Sequence, residues 1–148
     1  EWSAARRTNA AMIANALLPF SDADGPIRIP NFRCSGCAQL GCAHANYKYY
    51  AYVNPKQLAV GWDRDRILEE INSRGIPAYQ GSCSEVYLEK AFDGAIKRPA
   101  GRLPMARELG ETSVMFLVHP TLTSEEISKT CDVISEVLTL AKRELVNS

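Results

Sequence analysis

The sequence predicts an α+β fold, a layered sandwich with one small sheet. Three observations carry this. Short strand-like runs, the clearest at Tyr47–Val53 and Val114–Val118, alternate with helical stretches. Two Ser/Thr-to-Glu capping patterns mark helix starts. No repeat and no long linker divides the 148 residues, a length that sustains one domain with its own core.

Residues 2–18 read as a helix, because Trp2, Ala5, Asn9, Ile13, Ala16 and Leu17 approximate a 3.6-residue stripe. Arg6 and Arg7 fall toward its exposed side, and Pro19 stops it. Asp22-Ala23-Asp24-Gly25-Pro26 is a turn, and Ile27-Arg28-Ile29 a short strand. Residues 31–46 show no period and read as a loop. From 47 to 53, Tyr47, Tyr49, Ala51 and Val53 face one way and Lys48, Tyr50 and Tyr52 the other.

A helix over 64–74 has Asp63 as N-cap and Ile67, Leu68 and Ile71 on one face. Gly75 suits a left-handed C′ position, from which Ile76 can pack back on Ile71. Residues 76–80 read as a short strand, with Pro77 at an edge or a strand start. Ser82-Cys83-Ser84-Glu85 fits a capping box opening a helix that carries Val86, Leu88, Ala91 and Phe92. A Gly/Pro loop over 93–101 leads to a helix from Leu103 to Leu109, with Gly110 as its stop. Thr123 to Glu126 forms a second capping box flanked by Leu122 and Ile127. The helix it opens carries Ile127, Cys131, Ile134, Leu138, Ala141 and Leu145, with Lys142 and Arg143 in its last turn.

Composition excludes several classes. The chain is 46% hydrophobic and 23% charged, which argues against disorder. Seventeen basic and seventeen acidic residues give no general pull toward nucleic acid or anionic membrane, and neither partner is expected. No apolar run approaches the ~20 residues of a membrane helix, and no secretory signal opens the chain. The first residue is Glu1 rather than Met, so processing or a piece of a longer chain is expected. Five cysteines, an odd number with three clustered, favour reduced thiols and a cytoplasmic protein.

Three constellations could carry chemistry. Cys34, Cys37, Cys42 and His44 have the ligand types of a tetrahedral zinc site, although their spacing departs from common knuckles. A loop that simply holds three thiols is the other reading. The strand from His44 to Tyr52 concentrates four tyrosines and Lys48, which suits either a half-buried strand or a surface for sugar hydroxyls and a phosphate. At the helix start near Ser82, free N–H groups could bind an anion or merely be capped, and the same dipole could lower the Cys83 pKa. His119 reads as a structural residue at a strand–helix corner.

The order of segments resembles the C-terminal part of the DegT/DnrJ/StrS family of sugar aminotransferases, which are pyridoxal phosphate enzymes of fold type I. The resemblance rests on Glu1-Trp2 with Arg6-Arg7-Thr8-Asn9-Ala10, on Tyr49-Tyr50-Ala51-Tyr52-Val53, and on the stretch Arg66 to Ile76. It continues through Leu103-Pro104-Met105-Ala106-Arg107-Glu108-Leu109 and the closing segment from Leu117 to Ile127. The sequence departs from the pattern at Tyr50, where many members carry His, at 80–85, which replaces a His-Tyr loop, and in its cysteine cluster.

The resemblance implies one C-terminal small domain over 1–148, with a Cys/His-rich loop at 34–44 inside it. Its sheet would be small and mainly antiparallel, of three to four strands flanked by helices. The parent would be a homodimer that moves an amino group, usually from glutamate, to a keto sugar on a nucleotide diphosphate, for lipopolysaccharide, capsule or antibiotic sugars. Its cofactor is bonded to a lysine of a large domain. None of Lys48, Lys56, Lys90, Lys97, Lys129 and Lys142 sits in the family's Ser-x-x-Lys setting, so this chain alone is expected to hold no cofactor and to be inactive. The substrate contacts carried over are His44, Lys48, Tyr49, Ser82 and Ser84. The competing expectation is a non-enzymatic zinc-binding interaction module built on Cys34, Cys37, Cys42 and His44.

Overall fold

A computed structural model describes residues 1–30, 42–81, 83–93, 98–99 and 101–143. Among them the chain forms α1 (Trp2–Leu17), β1 (Ile27–Arg28), β2 (Lys48–Val53), α2 (Arg64–Ser73), β3 (Ala78–Tyr79), α3 (Pro104–Thr112), β4 (Ser113–Leu117) and α4 (Ser124–Ala141). The four strands make one antiparallel sheet in the order β1-β2-β4-β3. The predicted α+β class is therefore the observed one.

Alternation along the two central strands sorts the sheet into two faces. Tyr49, Ala51 and Val53 on β2 and Val114 and Phe116 on β4 are buried in one core with Ile13, Ile67, Ile71 and Ile134. Helices α1, α2 and α4 cover this face. The other face carries Lys48, Tyr50 and Tyr52, opposite Leu117, Met115 and Ser113 respectively. Helix α3 contributes nothing to the core cluster, and its Glu108 reaches Arg28 on that second face.

Local signals set several boundaries. The Asp63 side chain accepts from the Arg66 N–H at 2.8 Å and starts α2. Gly75, at φ +81°, ends it, and the Ile76 N–H returns to the Ile71 carbonyl at 3.3 Å, the Schellman pairing. Thr123 and Glu126 complete the capping box of α4 in both directions. The Thr123 N–H and hydroxyl both donate to the Glu126 carboxylate, at 2.8 and 3.0 Å, and these bonds keep that carboxyl below its usual range. Asn9, buried on α1, donates to the His119 carbonyl at 3.0 Å and ties that helix to the corner after β4. Cys131 packs half-buried against the core.

Four expectations need correction. The stretch after Ser82 is not an α-helix: it makes two single 3₁₀ turns, Val86–Leu88 and Lys90–Phe92. Its intended capping glutamate, Glu85, is bonded instead to Arg102 and Tyr87. Gly110 does not stop α3, which runs on to Thr112. Lys142 and Arg143 lie beyond α4: Lys142 bridges to Leu58 and the Arg143 N–H donates to Gln57. Tyr47 precedes β2 and is 72% exposed rather than joining Tyr49 in the core. Leu145 lies outside the described residues. No helix among the described residues is long and apolar enough to cross a membrane.

Candidate functional site

The second face of the sheet and the segment after β3 form the candidate site. Tyr50 and Tyr52 project from β2 on this face, with Tyr79 from β3 beside Met115. Met115 is buried although it lies outside the main core cluster, so the face is partly roofed. The roof is the chain after β3. The Ser113 hydroxyl donates to the Gln80 carbonyl, and Gly81 lies so close that a Cβ there would meet the Tyr50 ring at 2.9 Å. One residue pair further on, Ser84 packs on α3: a Cβ on Gly110 would stand 2.5 Å from its hydroxyl oxygen.

An ion-pair network clamps this segment to α3. Arg102 Nε donates to both Glu85 oxygens, at 2.9 and 3.1 Å, and Arg102 Nη1 to Glu111 at 3.2 Å. Arg107 reaches the same Glu111 at 2.8 Å. The Tyr87 hydroxyl donates to Glu85 at 2.9 Å and accepts from the Leu103 N–H at 2.8 Å. From the far side Arg64 donates to the carbonyls of Gly110 and Ser113, fixing the junction of α3 and β4. The hydrogen bond from Arg102 holds the Glu85 carboxyl below its usual range, aided by Tyr87, and that from Arg107 does the same for Glu111.

The clamp has a pH consequence. Both carboxyls have folded-state pKa values below their unfolded ones, so their contribution is present above the usual carboxylate range, about pH 4, and is lost as pH falls through the lowered values. Amide exchange over residues 83–93 should quicken as pH falls below about 4, once corrected for intrinsic rates. Arg102→Met should produce the same loosening at neutral pH. Unchanged protection in the variant would mean that Arg102 is not the clamp.

Those of the residues singled out from sequence that are described do not gather in one cluster. His44 is exposed, its Nδ1 accepting from the Asn46 N–H at 3.0 Å in a local turn where Asn46 takes φ +46°. Lys48 opens β2, with its ammonium 5.9 Å from the Tyr47 ring centroid; Arg6 lies 5.5 Å from the same centroid. Tyr49 is 4% exposed and turned into the core, on the opposite face from Lys48, and burial pushes its hydroxyl pKa up. Ser84 sits near the Ser113 end of the sheet, four pairs or roughly 13 Å along β2 from Lys48. Ser82 lies outside the described residues.

Cys83 departs from its expected chemistry. Its thiol donates to Glu89 at 3.3 Å, and that bond raises its pKa instead of lowering it. His119 is the corner residue expected, its Nδ1 2.7 Å from the Thr121 hydroxyl oxygen. Cys34 and Cys37 lie outside the described residues, while Cys42 and His44 are exposed. Among the described residues no three His, Cys, Asp or Glu side chains converge on a metal position. Sequence reasoning missed Glu85, Arg102 and Arg28. Only the i,i+4 spacing of Arg107 and Glu111 hinted at the network.

In class, the fold is one shared with solved aminotransferases, among them one described as a DegT DnrJ EryC1 StrS aminotransferase. That aminotransferase, from Brucella abortus, superposes with a TM-score of 0.66 at 20% identity, over 91% of this chain and 31% of that one. The aminotransferase TlmJ from Streptoalloteichus hindustanus does so with a TM-score of 0.72 at 17% identity, over 94% and 32%. In sequence, the chain is 47% identical to the aminotransferase from Psychrobacter cryohalolentis, with a TM-score of 0.85 over 93% of this chain and 34% of that one. The chain thus spans about a third of the length of these solved structures, and the resemblance drawn from its sequence holds. No protein-family model and no curated protein matches it.

Pyridoxal phosphate, which that resemblance implies, finds no fitting lysine among the described residues. A lysine that carries it must be enclosed and desolvated. Lys56, Lys90 and Lys129 are exposed and Lys48 and Lys142 half-exposed, while Lys97 lies outside the described residues. The described residues therefore do not compose a cofactor pocket.

Proposed function

We propose that the chain is the C-terminal small domain, over 1–148, of a pyridoxal phosphate-dependent sugar aminotransferase. The parent transfers an amino group from an amino acid, with glutamate the favoured donor, to a keto sugar carried on a nucleotide diphosphate. Its product enters lipopolysaccharide or other polysaccharide sugars in the cytoplasm. The observation that carries this reading is the 47% identity with the Psychrobacter cryohalolentis aminotransferase across nearly the whole chain. The cofactor supplies the amino-group chemistry and belongs to the rest of the parent.

This domain's part is to form a wall of the substrate cleft. Lys48 offers a cation for a phosphate, His44 a ring nitrogen, and Ser84 and Ser82 hydroxyls for the sugar. Tyr49 supports the wall from the core side and does not touch substrate, given its burial. Trp2 and Tyr47, 66% and 72% exposed, support a further protein surface against this end of the domain, either the large domain or a second subunit.

The test is an assay of the longer protein that contains this segment, with pyridoxal phosphate, glutamate and a nucleotide-linked keto sugar. Amination of the sugar is the expected result, and Lys48→Gln should raise KM by about tenfold with kcat less affected. A protein that binds the cofactor yet aminates no keto sugar would overturn the substrate class. An unchanged KM in the variant would remove Lys48 from the site.

A further inference from the structure

A cleft of about 770 Å³ opens between α3 and the turn that follows β2. Arg28, Lys56, Arg102 and Arg107 line it, against Glu108 and Glu111. Among the described residues the lining therefore holds two more cations than carboxylates, on a chain whose charges balance overall at 17 and 17. None of the described residues His44, Lys48, Tyr49 and Ser84 lines it.

The four cations are not equivalent. Arg102 and Arg107 are committed to Glu85 and Glu111 by hydrogen bonds and serve as fixed walls. Arg28 stacks its guanidinium 4.6 Å from the centroid of the Tyr52 ring, which orients the fork. Its carboxylate neighbour, Glu108, stands at 3.9 Å, beyond hydrogen-bond length. Lys56, exposed on the Pro55–Gln57 turn, has no carboxylate within ion-pair distance among the described residues. The charge left in excess is thus that of Lys56, beside an Arg28 fork that Glu108 holds only loosely at 3.9 Å.

We propose that this cleft binds a small phosphate-bearing anion, with Arg28 and Lys56 as its charge partners. A phosphate accepts two hydrogen bonds from a guanidinium fork and a third from an ammonium, the donor set this cleft offers. The carboxylates of Glu108 and Glu111 on the same wall repel additional negative charge. They restrict the ligand to a small anion and disfavour a nucleic-acid strand. The proposal does not depend on the aminotransferase reading.

Calorimetric titration of inorganic pyrophosphate into the 148-residue chain at low salt tests it. Saturable binding is expected. Lys56→Gln should weaken it on the order of tenfold, through loss of one charge-assisted contact. Glu108→Gln should strengthen it severalfold, by releasing Arg28 and removing a repelling charge. Lys129→Gln, an equal charge change on exposed α4, should leave it unaltered. Circular dichroism of each variant establishes folding. Three results would overturn the proposal: no saturable binding at millimolar pyrophosphate, weaker binding in Glu108→Gln, or equal weakening in Lys129→Gln and Lys56→Gln. The last would reduce the effect to general surface charge.

Discussion

Phe116→Ala is expected to lower stability by about 3–5 kcal/mol, the range for truncating a buried aromatic in a core that relaxes only partly. Phe116 is 2% exposed and the largest of the fully buried side chains. It sits on β4, paired with Tyr49 of β2 on one side and Ala78 of β3 on the other. Its ring therefore occupies the centre of the sheet's packed face, where the helices above have their own buried contacts and cannot settle into the space left. A loss of this size is a large share of the roughly 5–15 kcal/mol that holds a typical domain together. The measurement is the urea midpoint with an unchanged slope, since the surface exposed on unfolding is nearly the same. Val60→Ala is the control. Val60 is fully exposed at a turn, and its truncation should move stability by no more than about 0.5 kcal/mol. A Phe116→Ala loss below about 1 kcal/mol would mean that the face assigned as core is not packed.

What the sequence revealed in advance was whatever is decided within a few residues. The Thr123–Glu126 capping box, the Asp63 cap and the Gly75 turn all close over three to five positions, so their residue types suffice. The alternation on β2 was legible for the same reason, except at Tyr47, where the strand had not yet begun. Ser82 to Glu85 carried an equally good capping pattern and still did not open a helix. Glu85 is taken by Arg102, 17 positions away, and Tyr87 spends its hydroxyl on both Glu85 and Leu103. A long-range ion pair competes with a local cap, and nothing in the local sequence ranks the two. The candidate site suffered in the same way. Residue types picked out His44, Lys48 and Ser84, but the sheet register sets Lys48 and Ser84 at opposite ends of β2. The cleft depends on Arg28 meeting α3, which chain distance hides and only the antiparallel sheet brings about.

Gly81→Val should cost about 2–4 kcal/mol and free the segment after β3 from the sheet. Two separate causes add. Gly81 has φ +95°, a conformation that strains a β-branched residue by about 1–3 kcal/mol. The new Cβ would also stand 2.9 Å from Tyr50 Cε1 and 3.1 Å from the Ser113 hydroxyl oxygen. Relief by moving the backbone would break the hydrogen bond from Ser113 to Gln80, worth about 1 kcal/mol. A double-mutant cycle separates the causes. Tyr50→Ala removes the ring that the Cβ strikes, so in that background Gly81→Val should cost less by the steric share and retain the share from φ. Stability is read from urea unfolding, and the freed segment from faster proteolysis between residues 83 and 93. If Gly81→Val lay within about 0.5 kcal/mol of the parent chain, the close approach of Gly81 to Tyr50 would not hold in solution. The roof over the tyrosine face would then have to rest on the Arg102–Glu85 clamp alone.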